Sequence, residues 1–237
     1  MKKALNIDIV DLHTHILPNT DHGSDSIETS LVQLAKAKEA GVNRIIVSPH
    51  FYPNSHTVEG YIRTRNEAYK NLLPHLTEDL PEIKLGAEVL VCHGIENLPE
   101  LPELYIQGTK TLLLELPFAD FSEDYCDSVY SLTRSGVDVI LVHAERYPVS
   151  YIEKMISNGA KLQLNTNALS RFFAPSKYYE WIDRGVVYAI GTDIHGVDKR
   201  YYRSFVKAVK RMGDRALVIK EKSDAIWNKA EFYEVKE

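Results

Sequence analysis

Short apolar runs alternate along the chain with segments in which apolar residues recur at helical spacing. Seven runs, rich in leucine and β-branched residues, occupy residues 7–11, 44–48, 83–90, 111–116, 137–142, 161–165 and 186–191. Several are apolar almost throughout, such as IIVS, LLLEL and VDVILV, as is typical of strands buried on both faces of a parallel sheet. The pattern predicts seven strands, and residues 216–219 are a weaker candidate for an eighth.

Helical segments separate these runs, and several have recognisable ends. Ser122 is placed to cap a helix that Gly136 ends, and Ser150 with Glu153 matches a capping box before a helix that ends at Gly159. Regular alternation of strands and helices is the pattern of an α/β barrel or a doubly wound sheet. The chain has no evident linker, repeat or low-complexity segment, so we expect one domain over residues 1–237.

Composition and charge narrow the functional classes. The chain has 237 residues, of which 44% are hydrophobic and 26% charged, as in ordinary globular proteins. The net charge of −5 gives no global basic field for nucleic acid. No apolar run approaches the ~20 residues of a membrane helix, and the start, MKKALNIDIVDLHTH, lacks the apolar core of a signal peptide. With only two cysteines, we expect a cytoplasmic protein without a disulfide framework or stable membrane insertion.

Histidines and acidic residues follow most of the predicted strands. The segments are DLHTH (11–15), SPH (48–50), GAE (86–88), LEL (114–116), VHAER (142–146) and GTDIH (191–195). Carboxyl ends of parallel strands meet at one edge, where functional residues gather. A single histidine there is more often a hydrogen-bonded structural residue. However, Glu88 and Glu115 lie in apolar runs, where a carboxylate without a cation or partner carries a large desolvation cost. Together the segments predict a metal site.

The candidates outnumber the ligands that one tetrahedral ion takes, so the set fits two or three ions. Imidazole and carboxylate ligands without thiolate suit Mn, Fe or Zn better than Ca or Cu(I).

These motifs resemble the PHP (polymerase and histidinol phosphatase) superfamily, and within it the bacterial metal-dependent tyrosine-protein phosphatases of capsule and exopolysaccharide operons. The segments that carry the resemblance are DLHTHILP with DHG (11–23), SPHFY (48–52), GAEV (86–89), LLELPF (113–118), LVHAERY (141–147) and GTDIHG (191–196). The resemblance implies a distorted, TIM-like (β/α) barrel of seven strands. It also implies a centre of three metal ions.

Carried over position by position, the resemblance assigns a ligand set. His13, His15, Glu88 and Asp193 would hold the first ion, bridging Glu88 with Glu115 and His143 the second, and His22, His50 and His195 the third. The family usually has Asp-Asp-Gly where this chain has Asp21-His22-Gly23, so His22 replaces a carboxylate, and Asp21 is the alternative ligand. Arg146 and Arg200 match arginines that face the phosphate. His195 is also a candidate proton donor to the leaving group.

The cysteines do not support the thiol mechanism of other tyrosine phosphatases. That mechanism needs an arginine six positions after the cysteine, but Leu98 follows Cys92 and Leu132 follows Cys126 at that distance. If phosphoryl transfer takes place, metal ions must activate the water that attacks phosphorus. The guanidinium groups of Arg146 and Arg200 would then bind phosphoryl oxygens.

The sequence therefore predicts a metal-dependent phosphomonoesterase. We expect a protein-tyrosine phosphatase whose partner is the phosphotyrosine tail of a bacterial tyrosine autokinase in capsule or exopolysaccharide biosynthesis. One alternative is a small-molecule phosphatase of the same superfamily, with a substrate such as histidinol phosphate. Others are an amidohydrolase-type barrel, which the DHG and HAERY segments disfavour, and a metal-stabilised module that regulates a kinase by binding. Homo-oligomer formation stays open.

Overall fold

The computed structural model describes residues 8–119, 121–198 and 200–229. Residue 7 of the first predicted run and both ends of the expected domain lie outside these ranges. The described residues form nine strands: β1 (Asp11–Thr14), β2 (Arg44–Val47), β3 (His50–Phe51), β4 (Glu82–Leu85), β5 (Glu88–Leu90), β6 (Thr111–Glu115), β7 (Asp138–Leu141), β8 (Lys161–Asn165) and β9 (Val187–Gly191). Their order in a single sheet is β3-β5-β6-β7-β8-β9-β1-β2-β4, and every neighbouring pair is parallel.

The described sheet thus has nine strands rather than the predicted seven, because two extended stretches are interrupted. The run at 83–90 forms β4 and β5, and the unpredicted β3 follows β2 after Ser48 and Pro49. Proline has no N–H for a strand ladder. Pairing continues across both interruptions, since the N–H of Gly86 donates to Val47 O (2.8 Å) and that of Glu88 to Pro49 O (3.1 Å). The two ends of the sheet order are therefore halves of neighbouring stretches, and the sheet is curled.

Eight α-helices connect or flank these strands: α1 (Ile27–Glu39), α2 (Val58–Leu72), α3 (Glu123–Arg134), α4 (Val149–Ser157), α5 (Thr166–Leu169), α6 (Ser176–Asp183), α7 (Arg200–Met212) and α8 (Arg215–Asn228). The predicted cap of α3 is confirmed, because the Ser122 side chain accepts a hydrogen bond from Asp124 N. The predicted capping box of α4 is wrong. That helix begins at Val149 after Pro148, and the Glu153 side chain binds Trp181 and Arg184 instead.

The weak strand candidate at 216–219 is wrong, because these residues lie in α8. Ala216 and Ile219 are buried, whereas Leu217 and Val218 between them are 51% and 41% exposed. Burial at a spacing of three residues places one face of a helix against the protein. No helix in the described ranges is long and apolar enough to span a membrane.

The two faces of the sheet bury different groups of apolar side chains. On β6, Leu112 and Leu114 belong to the larger group, which includes residues of the surrounding helices, whereas Leu113 belongs to the smaller one. Alternate residues of a strand face opposite sides, so the smaller group lies within the curl. Ile226 and Trp227 of α8 join this inner group. The polar residues singled out in the sequence lie at the other end of the strands, along the carboxyl edge of the sheet.

Candidate metal centre

Glu88, the first residue of β5, lies at the centre of a buried cluster of imidazoles. Its Oε1 is 2.8 Å from His143 Nε2, and its Oε2 is 2.8 Å from His50 Nδ1. The same Oε2 lies 3.2 Å from both His13 Nε2 and His15 Nε2. Four histidines from three places along the sheet edge, the ends of β1 and β7 and strand β3, thus meet around one carboxylate that is 1% exposed.

Two further carboxylates flank Glu88. Glu115, the last residue of β6, has Oε1 at 3.4 Å from His143 Nε2 and Oε2 at 4.0 Å from His50 Nδ1. Asp193, two residues beyond β9, has Oδ1 at 3.4 Å from His15 Nε2. The structure therefore brings the carboxylates of three strands together with the imidazoles, as the sequence predicts.

The cluster has the spacing of metal ligands. His13 Nε2 and His15 Nε2 lie 3.1 Å apart, close to the ~3.3 Å expected between two nitrogens bound to one tetrahedral zinc. Three sets of side chains have ligand atoms within 4.8 Å of one another: His13 with His15 and Glu88, His50 with Glu88 and Glu115, and His15 with His50 and His195.

Three buried atoms of the cluster lack a hydrogen bond of suitable geometry among the described residues: His50 Nδ1 and Glu88 Oε2, which lie 2.8 Å apart as an ion pair, and His195 Nε2. Buried polar atoms are normally hydrogen-bonded, and leaving them without a partner is costly. A cation at this position would use their lone pairs, so the residues present fit a metal centre.

The far ring nitrogens of three histidines have identifiable acceptors. His15 Nδ1 lies 2.7 Å from Asp21 Oδ2, and His195 Nδ1 lies 3.0 Å from the backbone oxygen of Asp193. His143 Nδ1 is 3.2 Å from Tyr147 Oη, whose own hydrogen is donated to Leu116 O. Each Nδ1 therefore carries a hydrogen, and Nε2 is the ring nitrogen that each histidine can offer to a metal.

Asp21 supports the cluster through His15. Its Oδ2 also accepts a hydrogen bond from His50 N (3.2 Å), and its Oδ1 accepts one from Gly23 N (2.8 Å). Burial raises the pKa of Asp21, but the hydrogen bond and charge of His15 lower it by a larger amount, so the pKa lies below its ordinary value. With both oxygens engaged, Asp21 is placed to orient His15 rather than to bind an ion. Sequence reasoning considered Asp21 only as a ligand.

The close approach of the Asp21-His22-Gly23 segment to His15 explains why the segment ends in glycine. A Cβ atom at this position would lie 2.4 Å from the backbone oxygen of His15 and 2.2 Å from its Cβ. Only a residue without a side chain allows this segment to pass so close to the β1 edge.

His22 lies beside the cluster but is exposed. Its ring stacks on His195 with centroids 4.4 Å apart and on His50 with centroids 5.0 Å apart. It is absent from the three closely spaced ligand sets. The structure thus brings His22 to the rim of the site, and its role as a ligand stays a prediction.

Arg146 and Arg200 occupy different positions. Arg146 forms an ion pair with Asp193 Oδ2, and its side chain is 35% exposed. Arg200 is 86% exposed and pairs with Asp198. It lines an adjoining cavity of about 290 Å³ rather than the cavity above the cluster, although Asn167 and Tyr201 line both.

The cavity above the cluster has a volume of about 330 Å³. Predicted ligands and Arg146 form its floor and wall, and the aromatic side chains of Tyr52, Phe118 and Tyr201 also line it. The cavity therefore combines the guanidinium group of Arg146 with aromatic surface, which suits a small anionic group attached to an aromatic ring.

The electrostatics of the cluster favour ionised carboxylates. Burial raises the pKa of Glu88, but the charge and hydrogen bonds of His13, His143 and His15 lower it well below its ordinary value. Burial, together with the charge of His15, lowers the pKa of His195 to about 4. Burial lowers the pKa of His15 and His143, but hydrogen bonds to the carboxylates raise it by more, to about 9 for His143. These imidazoles would give up a proton when a divalent cation binds to the ionised carboxylates.

Comparisons with known proteins agree with this geometry. Residues 9–219 match a family model described as capsular polysaccharide synthesis, CpsB/CapC. The tyrosine-protein phosphatase YwqE of Bacillus subtilis (strain 168) is 26% identical over 208 residues, which cover 83% of this chain and 81% of that protein. The tyrosine-protein phosphatase CpsB of Streptococcus agalactiae serotype V is 24% identical over 214 residues, which cover 81% and 85%.

A solved structure has the same fold. It belongs to a study of YwqE from Bacillus subtilis and CpsB from Streptococcus pneumoniae, described there as unique metal-dependent tyrosine phosphatases. The match has a TM-score of 0.76 at 19% identity and covers 95% of this chain and 96% of the other. The clustered side chains all lie within the part of the chain that these comparisons cover.

Proposed function

The chain belongs to the capsular polysaccharide synthesis family of CpsB and CapC, and from this premise we propose that it is a metal-dependent protein-tyrosine phosphatase. The observation that carries the proposal is the buried Glu88 carboxylate, which lies within 3.2 Å of ring nitrogens of four histidines beneath a cavity lined by Arg146. The relatives named tyrosine-protein phosphatases support the choice of substrate.

The ligand set that we propose follows the sequence prediction. Glu88, His13, His15 and Asp193 would hold one ion, and Glu88, Glu115 and His143 would hold a second. His50, His195 and the exposed His22 would hold a third. Bound Mn, Fe or Zn would supply Lewis acidity and a water of lowered pKa.

The protein's own groups would bind and orient the phosphate ester. Asp193 holds the Arg146 guanidinium at the cavity wall, where it can donate to phosphoryl oxygens. Tyr52, Phe118 and Tyr201 offer surface for the phenyl ring. Arg200, in the adjoining cavity, places positive charge on the approach to the site. A phenolate, with a parent pKa near 10, is a leaving group that needs little acid assistance. His195, the predicted donor, is not placed to supply a proton, because its Nδ1–H faces the Asp193 backbone oxygen, its Nε2 is the proposed ligand atom and its pKa is lowered to about 4 by burial and the charge of His15.

The remaining expectations become parts of the same proposal. The chain would form a single domain over residues 1–237, and its nine strands would be a distorted seven-stranded barrel with two interrupted strands. Its substrate would be the phosphotyrosine tail of a bacterial tyrosine kinase, encountered in the cytoplasm.

The test compares substrates and metal states of one preparation. We expect protein purified without chelator to contain Mn, Fe or Zn and to hydrolyse a phosphotyrosine peptide faster than histidinol phosphate. Chelation should abolish the activity, and added metal should restore it. A preference for histidinol phosphate would favour the small-molecule phosphatase, and activity that survives complete metal removal would overturn the proposal.

A further inference from the structure

Strand β8 supplies none of the predicted metal ligands, yet it carries two buried amides at the metal cluster. Gln163 is fully buried and Asn165 is 1% exposed. Both residues point to the same side of β8, because they are two positions apart. Buried amides require hydrogen-bond partners, so the question is which groups they hold.

The two amides connect predicted ligands from different strands. Gln163 Oε1 accepts the backbone N–H of His143 (2.7 Å), and Gln163 Nε2 donates to Asn165 Oδ1 (3.0 Å). Asn165 Nδ2 in turn donates to Asp193 Oδ2 (3.0 Å). A continuous line of hydrogen bonds therefore runs from the end of β7 across β8 to the end of β9.

The direction of this line is fixed by its two ends. The His143 backbone can only donate, and the Asp193 carboxylate, when ionised, can only accept. Each amide must therefore point its oxygen toward His143 and its nitrogen toward Asp193. The reversed orientation of either side chain would face two donors or two acceptors toward each other.

This orientation also determines the tautomer of His13. His13 Nδ1 lies 3.4 Å from Gln163 Oε1, an atom that can only accept. Nδ1 therefore carries a ring hydrogen, which leaves Nε2, on the side of Glu88, as the nitrogen that can bind a metal. The same arrangement holds at His15 and His143, where Asp21 and Tyr147 take the part of Gln163.

Two residues at the ends of the line have an unusual backbone. His143 has φ = 38° and Asp193 has φ = 52°, a left-handed region that is uncommon for residues other than glycine. Such conformations persist when the surroundings hold them in place, and they cluster at functional sites. The line of hydrogen bonds provides such a hold, through the main chain of His143 and the side chain of Asp193.

Packing leaves the Gln163 amide little freedom. A Cβ atom on Gly191 of β9 would lie 2.8 Å from Gln163 Nε2 and 2.7 Å from His13 Cβ. Glycine therefore allows β9 to approach both side chains closely, and the amide is confined between β9 and His13.

We propose that Gln163 and Asn165 are positioning residues of the metal centre, whose hydrogen-bonded amides orient His13, His143 and Asp193 for metal binding. This inference rests on the proposed function, because it assumes that these three residues are ligands. Groups that hold the far side of metal-binding histidines typically contribute 10–100-fold to metal affinity. An effect of about that size is expected here.

The test measures Co²⁺ binding by the metal-depleted, full-length chain in competition with a chromophoric chelator. Gln163→Met removes both the acceptor and the donor at nearly constant volume. Asn165→Leu removes the contact with Asp193 and is the milder change, since it leaves His143 N–H paired. The matched control is Asn158→Leu, because Asn158 Nδ2 donates to Cys126 O (2.8 Å) on the outer helices, away from every predicted ligand.

We expect Co²⁺ to bind about 10–100-fold more weakly to Gln163→Met and Asn165→Leu, and with the parent constant to Asn158→Leu. A second readout is ¹⁵N NMR of histidine-labelled, Zn²⁺-loaded protein. The parent should show His13 with hydrogen on Nδ1, and Gln163→Met should lose that signature while Asn158→Leu keeps it. A purely structural role would lower the melting temperature without changing either quantity.

The experiment distinguishes a failure of the positioning role from a failure of the proposed function. Parent-like Co²⁺ constants and an unchanged His13 tautomer in folded variants would overturn the positioning role and leave the metal centre intact. A parent protein that binds no divalent ion would overturn the proposed function and the inference together.

Discussion

The two edges of the parallel sheet both carry charged side chains, but they differ in how these charges are paired. At the amino edge, Asp138 pairs with Lys161 and Lys229. Arg44 pairs there with Asp8 (3.1 Å) and Asp224 (2.7 Å). Each of these carboxylates is paired with lysine or arginine, and the side chains of these pairs are 14–48% exposed.

At the carboxyl edge, acidic side chains meet mainly imidazoles. Glu88, Glu115, Asp193 and Asp21 gather there. Among the described residues, Arg146 is the arginine or lysine that forms an ion pair with one of them, Asp193. Burial lowers the pKa of His15 and His143, but their hydrogen bonds to carboxylates raise it by more, so protonated imidazoles balance much of the carboxylate charge at this edge. The amino edge is thus paired by groups that keep their charge at neutral pH, whereas the carboxyl edge is paired mainly by imidazoles whose protons a divalent cation can displace.

The largest expected effect is at the centre of the carboxyl edge. Glu88→Gln removes the charge that meets four imidazoles, so both bridged ions should be lost. Because metal ions contribute several kcal/mol to the transition state, we expect kcat/KM on a phosphotyrosine peptide to fall by at least ~10³-fold. Elemental analysis should show the loss of metal, and circular dichroism should show a retained fold. A variant with parent metal content and parent activity would contradict the assignment of Glu88.

The two arginines provide the next test. Arg146→Ala should lower kcat/KM by roughly 10²-fold, mainly through kcat, because Arg146 lies in the cavity with the ligands. Arg200→Ala should have a smaller effect, mainly on KM, because its side chain is 86% exposed and paired with Asp198. Steady-state kinetics on both variants, with metal content as the control, separate the two roles. Equal losses of kcat would show that Arg200 reaches the reacting phosphate.

His22→Asp tests the rim position at which the resemblance leads us to expect a carboxylate. The change adds one negative charge at the rim and offers an oxygen ligand in place of imidazole. We expect weaker inhibition by inorganic phosphate, by about tenfold at most because exposed charges are screened, and a shift of metal preference toward Mn. Inhibition constants and metal competition would measure both effects. If neither changes, His22 is a stacking partner of His195 and not a ligand.

The amino edge should respond in stability rather than in activity. Asp138→Asn removes the ion pairs with Lys161 and Lys229, which should cost about 1 kcal/mol of unfolding free energy at neutral pH. Kinetics with the phosphotyrosine peptide should stay at the parent value. A loss of activity without a loss of metal would contradict the separation of the two edges.

The pH dependence of this contribution has a defined sign. Burial raises the pKa of Asp138, but its hydrogen bonds to Lys161 and Lys229 lower it further, to a net value below the ordinary carboxyl value of 3.8. The stabilisation is therefore complete above the unfolded pKa and is lost as the pH falls through the lower folded pKa. Denaturation of parent and Asp138→Asn should differ at pH 7 and converge in acid.

The sequence predicted the carboxyl edge well because its residues are adjacent to strands. A histidine or carboxylate directly after an apolar run must lie at the edge of a parallel sheet, whatever the details of packing. His13, His143 and Asp193 follow this rule, whereas Glu88 lies inside the predicted run 83–90 and is the first residue of β5. The strand count was less predictable, because Pro49 and the stretch around Gly86 interrupt ladders that remain paired in space.

The supporting residues could not be predicted in the same way. Gln163 and Asn165 lie in a strand without ligands, and their partners belong to β1, β7 and β9. Which atoms meet depends on the register between strands and on the direction of each amide. The polar positions in the otherwise buried strand KLQLN (161–165) were a signal, since a buried amide implies a specific partner. The sequence did not indicate which partner.

The smallest effect is expected at the two cysteines, which belong neither to the ion pairs of the amino edge nor to the metal cluster of the carboxyl edge. Cys126 is buried and Cys92 is partly buried, and in both cases burial raises the pKa of the thiol, which opposes the thiolate form that a nucleophile needs. Cys92→Ser and Cys126→Ser should therefore keep the parent kcat/KM and metal content. Cys126→Ser should lose roughly 1 kcal/mol of stability, because it places a hydroxyl among apolar neighbours. Thiol alkylation of the folded parent should likewise leave its activity intact. A loss of phosphatase activity in either variant at unchanged metal content would mean that a thiol takes part in catalysis, which the metal-centred reading of the carboxyl edge does not permit.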